Sequence, residues 1–159
     1  MQEKNHLRKR LKGKIVAFGV GNPLKGDDGF GSELARRIKD KVNFTVYDCG
    51  TAPENYIGKI EKLEPDTVVI FDIAKAGNPF GTIKIFEIDD IPDSGLTTHD
   101  PSLKLFMNIL KETKDIDIFL LSVEPKQTVF TPNMSDQISR SLKELEDFFE
   151  SHYRRDISK

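Results

Sequence analysis

Three stretches of the chain hold side chains that could act on one substrate together. The first is Gly19-Val20-Gly21-Asn22-Pro23-Leu24-Lys25-Gly26-Asp27-Asp28-Gly29-Phe30-Gly31, far richer in Gly and Asp than packing requires. The second is Asp72, directly behind the apolar run Val68-Val69-Ile70-Phe71, where a carboxylate is costly unless paired or coordinated. The third is Thr97-Thr98-His99-Asp100-Pro101, in which Asp100 reads as a helix N-cap and Pro101 as the first helical residue, with the His99 ring just outside the cap. Asp28, Asp72 and His99 supply two carboxylates and one imidazole. That is a mixed oxygen and nitrogen donor set for a divalent metal, with positions left open for water or substrate. His6 and His152 lie near the termini and read as surface residues.

Other chemistries compete for the same residues. A dinucleotide-binding loop needs G-x-G-x-x-G spacing, which the first stretch lacks; Pro23 removes an amide donor there and two aspartates would repel a pyrophosphate. Asp27 or Asp28 could cap the helix that follows, and since adjacent aspartates do not share a direction, the other is left to face the crevice. Neither H-E-x-x-H nor G-x-S-x-G occurs. Asp93-Ser94-Gly95 resembles an aspartic-protease triplet only superficially, in a polar loop after Pro92. Cys49, the single cysteine, follows the apolar alternation of Phe44, Val46 and Tyr47 and reads as a small buried residue in preference to a nucleophile.

These loops need a scaffold that delivers them to one place. Ile15 to Val20 is a short apolar run ended by glycine, expected to be the central strand. Leu34, Ile38 and Val42 mark an amphipathic helix, Phe44 to Asp48 a second strand, Glu54 to Leu63 a helix, and Val68 to Phe71 a third strand. Thr82 to Ile88 alternates as an edge strand should, Leu103, Phe106, Met107 and Leu110 form a helical stripe, and Ile116 to Val123 is another buried strand. In the last helix Pro132 suits the first turn, and Met134, Ile138, Leu142, Leu145 and Phe149 keep one face apolar. Strands alternating with helices predict an α/β fold, a three-layer α/β/α sandwich around a mostly parallel five-stranded sheet. In such a sheet ligands bind at the carboxyl ends of the strands, where all three stretches fall.

The 159 residues suit one domain, expected over 14–153, with a basic extension at 1–13 and a tail at 154–159. Lys4, Arg8, Lys9, Arg10, Lys12 and Lys14 read as a solvated extension without aromatic interleaving. A net charge of -2 from 24 basic and 26 acidic residues gives no field to hold nucleic acid or an anionic membrane. No apolar run approaches the roughly 20 residues that span a bilayer, and the expectation is a cytoplasmic monomer.

Gly19-x-Gly21-Asn22-Pro23-Leu24-x-Gly26-Asp27-Asp28-Gly29-x-Gly31 resembles the opening motif of the hydrogenase maturation proteases. Gly50-Thr51-Ala52-Pro53-Glu54-Asn55 and Thr97-Thr98-His99 are similar to the branch that processes hydrogenase-3-type or coenzyme-reducing large subunits. The resemblance runs from about Lys14 to about Tyr153. It implies a twisted, mostly parallel sheet between helices, with Asp28, Asp72 and His99 as metal ligands. The implied activity is an endopeptidase that removes a short C-terminal extension from the large-subunit precursor of a nickel-iron hydrogenase once nickel is in place. For that reaction Asp28 is the first choice for the base, Asn22 and the neighbouring glycine amides such as Gly21 would donate to the peptide carbonyl or the tetrahedral oxyanion, and Asp27 would help position the substrate. The nickel would come from that partner, and other divalent ions can take its place in vitro. The alternatives are a peptidase of the same fold acting on another protein, and a non-enzymatic nickel-binding chaperone for the immature subunit.

Overall fold

Ile70 and Phe71 are neighbours in the chain yet belong to opposite hydrophobic cores. Period-two alternation in a strand buried on both faces produces this split, and it recurs along the sheet. The computed structural model describes residues 2–92, 94–97, 99–113, 115–156 and 158. Its strands are β1 (Ile15–Gly19), β2 (Thr45–Asp48), β3 (Thr67–Ile73), β4 (Ile83–Phe86) and β5 (Asp117–Val123). Its α-helices are α1 (Gln2–Arg10), α2 (Phe30–Ile38), α3 (Ile57–Leu63), α4 (Asp100–Thr113) and α5 (Asp136–His152). The sheet has five strands in the order β2-β1-β3-β5-β4, parallel except for β4, which pairs antiparallel with β5 at the edge.

On one face Ala17, Val69, Phe71, Phe119 and Leu121 meet Leu34 and Ile38 of α2 and Leu142, Leu145 and Phe149 of α5. On the other, Val16, Phe18, Ile70 and Leu120 meet Ile60 of α3 and Leu103, Phe106 and Leu110 of α4. Each fully buried side chain of this size contributes about 1.5–3 kcal/mol through removal from water. The result is the three-layer sandwich expected.

Four local expectations change. The central strand is β3, not β1, because β2 docks outside β1; an apolar run shows that a strand is interior, not which interior place it takes. Asp72 lies within β3, opposite Ser122 of β5, one residue before the strand ends. Pro132 precedes α5 altogether: Ser135 is the N-cap, and its hydroxyl accepts no helix amide but donates to Asp27 Oδ2 at 2.8 Å.

The basic extension is also not solvated. Residues 2–10 form α1, whose Leu7 and the following Leu11 are buried at 1% and 5% exposure in the core shared with α2 and α5. Arg10 holds both Asp117, at 2.7 Å, and Glu87, and lies 4.4 Å from the Phe119 ring centroid. A count of cations overlooks two leucines one turn apart, and those decide on which surface the helix lands.

Candidate active site

Close backbone approach seats the first loop. A Cβ on Gly31 would fall 2.0 Å from Phe71 O and 2.3 Å from Val20 O, and one on Gly19 would fall 2.2 Å from Gly31 O. Only glycine lets the start of α2 lie on the carboxyl ends of β1 and β3, and the Gly26–Gly29 turn is thereby pressed against Asp72. Gly21 serves the same end: its Cβ would meet Asp28 O at 2.2 Å, while its own N–H donates to Gly50 O at 2.8 Å. The amide of Gly21 is therefore engaged by the segment that follows β2.

Asp27 and Asp28 point opposite ways, as adjacent residues in a tight turn must. Asp27 is fully buried and its carboxylate accepts from Lys126 N at 2.8 Å, Gln127 N at 3.0 Å, Ser135 N at 2.7 Å and Ser135 Oγ. It braces the 126–135 loop and caps no helix. Asp28, 1% exposed, faces the other way, and its Oδ2 accepts from Asn22 N at 3.2 Å. Asn22 is half-buried; its Oδ1 accepts Leu24 N at 3.0 Å and closes the turn over Pro23.

Asp72 comes from β3 and His99 from the loop before α4. Asp100 does not cap that helix as expected: its carboxylate accepts Leu96 N at 2.8 Å and Thr97 N at 2.6 Å, and so folds the loop back on itself. Thr97 Oγ1 accepts His99 N at 2.9 Å. The ring is thus carried to Asp72, with Nδ1 at 3.2 Å from Oδ2. Thr98 and Asp93 lie outside the described residues.

Asp28, Asp72 and His99 each offer one ligand atom within 4.8 Å of the other two. Burial pushes the Asp72 carboxyl up to about 6 and the charge of Asp28 adds to the rise, while the bond to His99 and its charge work against it. Burial lowers His99, but the Asp72 bond and the charges of Asp72 and Asp28 outweigh it and raise the imidazole overall. Two carboxylates drawn together at 0% and 1% exposure repel one another unless a proton or a cation intervenes. A cluster of this composition suits a divalent ion of borderline hardness, and a carboxylate in it can also take a proton from water.

Cys49 lies 7% exposed, with its thiol driven far above the ordinary range by burial and then by Asp48 and Glu54. It holds its proton and is no nucleophile. One brace went unread in the sequence: Glu124, 6% exposed just past β5, accepts Ala76 N and Asn78 N, each at 2.9 Å, and anchors the 74–81 loop beside the site. Its only signal was an acidic residue directly after a buried strand, the same signal that marked Asp72.

Comparison with known proteins gives one family. The profile of the hydrogenase maturation protease family (HycI) matches residues 30–152, a stretch that contains Asp72 and His99 and begins just after Asp28. The hydrogenase 3 maturation protease of Escherichia coli K12 is 36% identical over 132 residues, covering 80% of this chain and 83% of the relative. The crystal structure of a [NiFe] hydrogenase maturation protease, HycI, from Thermococcus kodakarensis superposes with a TM-score of 0.83 at 30% identity, over 92% of this chain and 97% of the other. The solution structure of the endopeptidase HycI from Escherichia coli gives 0.77 at 30% identity, over 90% and 96%. With the profile, sequence and fold in agreement, the chain belongs to the hydrogenase maturation protease family.

Proposed function

We propose that the chain is the endopeptidase that removes a C-terminal extension from the large-subunit precursor of a nickel-iron hydrogenase, acting in the cytoplasm as a monomer. Nickel enters as part of the substrate, with Asp28, Asp72 and His99 completing its coordination. The observation that carries this reading is the convergence of those three residues, from a turn, a strand and a loop far apart in the chain, within 4.8 Å. Hydrolysis needs a proton acceptor beside the scissile bond, and Asp28 fills that role: its carboxylate takes a proton from water as the water attacks the peptide carbonyl carbon. Asn22, at the turn against Asp28, orients the peptide, and Gly21 keeps Asp28 in register by close backbone contact. Asp27 acts on the substrate only through the 126–135 loop that it braces.

Among the described residues no helix is long and apolar enough to cross a membrane, in keeping with a substrate met in water. Two aspartates and one histidine without a thiolate should bind free nickel weakly, so that recognition depends on the ion the precursor carries. The test incubates the protein with nickel-loaded and nickel-free precursor and weighs the products by mass spectrometry. Expected is a shorter product from the loaded precursor alone, and none with His99→Ala. Equal cutting of both precursors ends the nickel-gating idea, whereas tight binding without any shorter product favours the chaperone reading.

A further inference from the structure

An apolar ridge borders the site loop. Among the described residues five large hydrophobic side chains are exposed, and three of them, Leu24 at 66%, Val129 at 62% and Phe130 at 82%, lie on two segments that run side by side. Lys25 forms a parallel bridge with Thr131, closed by Gly26 N–H to Thr131 O at 2.8 Å and Thr131 N–H to Leu24 O at 2.9 Å. That register makes Leu24 and Phe130 neighbours. Both segments are held to the site: Asp27 N–H donates to Gln127 O at 3.1 Å, and the Asp27 carboxylate takes the amides of Lys126, Gln127 and Ser135. A ridge so firmly anchored and yet bare marks an interaction surface.

Its surroundings indicate what it receives. Between the ridge and the helices α2 and α5 opens a cleft of about 240 Å³, whose lining mixes Pro23, Pro132, Met134 and Leu142 with the charged Glu33 and Arg37, with room for one side chain. On the ridge segments themselves the charges are cationic: Lys25 Nζ lies 5.6 Å from the Phe130 ring centroid, and Lys126 is exposed on the same loop. Asn22, two residues before Leu24, donates its N–H to Asp28 Oδ2 at 3.2 Å, so the ridge adjoins the turn that carries Asp28.

We propose that Leu24, Val129 and Phe130 hold the precursor polypeptide beside the bond to be cut. The occupant is an extended segment with an apolar side chain on the ridge or in its cleft and an acidic residue against Lys25 or Lys126. This rests on the peptidase reading above. Continuity with the Asp28 loop and the two cations favour the substrate over a second copy of this chain, which would cover the loop and shut the site.

The test measures precursor binding and cleavage kinetics separately, for the normal protein and for the double change Val129→Ser with Phe130→Ser. Because both side chains are exposed, the thermal midpoint should move little. Expected is a rise of about 10-fold or more in both Kd and KM, with kcat within about threefold of normal. Lys25→Glu is the second variant and should raise KM more steeply at low salt than at high salt. Normal cleavage by both variants with unchanged Kd and KM overturns the ridge and leaves the peptidase reading intact. A normal protein that binds precursor without cutting it, and loses that binding in the variants, keeps the ridge and ends the peptidase reading. Failure of the normal protein to bind precursor removes both. A dimer of the normal protein that the double change dissociates, or a loss confined to kcat, also overturns the proposal.

Discussion

Nδ1 of His99 stands 3.2 Å from Oδ2 of Asp72, and the contact joins a carboxyl whose proton affinity burial raises to an imidazole whose proton affinity the neighbouring carboxylates raise. Asp72 rises from its ordinary 3.8 to about 6, so between those values the folded chain holds a proton that the unfolded chain has released. Its contribution to stability therefore falls as pH rises through that window. His99, raised above its ordinary 6.5, contributes stability that is full below 6.5 and lost as pH rises through its folded value. Asp72→Asn removes both effects. The thermal midpoint of the normal protein minus that of the variant should shrink from about pH 4 to about pH 6 and shrink further above about pH 6.5. A difference that stays flat across this range sinks the assignment.

Asp27 and Asp28 are adjacent in sequence and opposite in task. Asp28→Asn keeps an oxygen for Asn22 N, so the fold should survive with little change in midpoint while precursor processing is lost. Asp27→Ala strands the amides of Lys126, Gln127 and Ser135 and should destabilise the protein by at least about 2 kcal/mol. Denaturant unfolding beside a processing assay separates the two, and an inactive but fully stable Asp27→Ala protein would contradict the bracing role.

Cys49→Ala should leave processing intact at a stability cost of about 1 kcal/mol, as expected for a small side chain in the core whose sulfur donates weakly to Tyr47 O at 3.9 Å. A folded but inactive variant would return the thiol to the list of nucleophiles.

Leu7 is 1% exposed inside the core that α2 and α5 share with the sheet. Leu7→Ala should therefore lose about 2–5 kcal/mol, as a core residue does and a residue of a solvated extension does not. Urea unfolding measures it, and a loss below about 0.5 kcal/mol would mean that α1 is dispensable.

Much of this protein is local and was legible in the chain. The two-residue alternation and continuous apolar runs specify strands, the stripes such as Ile138, Leu142, Leu145 and Phe149 specify a helix face, and the βα alternation specifies a parallel sheet with its crevice at the carboxyl ends. Asp28, Asp72 and His99 stood out because polar groups in such places are costly unless something holds them. Distance along the chain hid the rest. Whether Asp27 or Asp28 faces the crevice depends on the amides of Lys126, Gln127 and Ser135, about a hundred residues away, and that pairing exists only once α5 has docked. The place of β3 at the centre, the burial of Leu7 and the return of the 126–135 loop to Lys25 are likewise contacts between remote segments. Local periodicity records which face of an element is apolar, but the partner that covers it is chosen by global packing, and only the tertiary structure decided it.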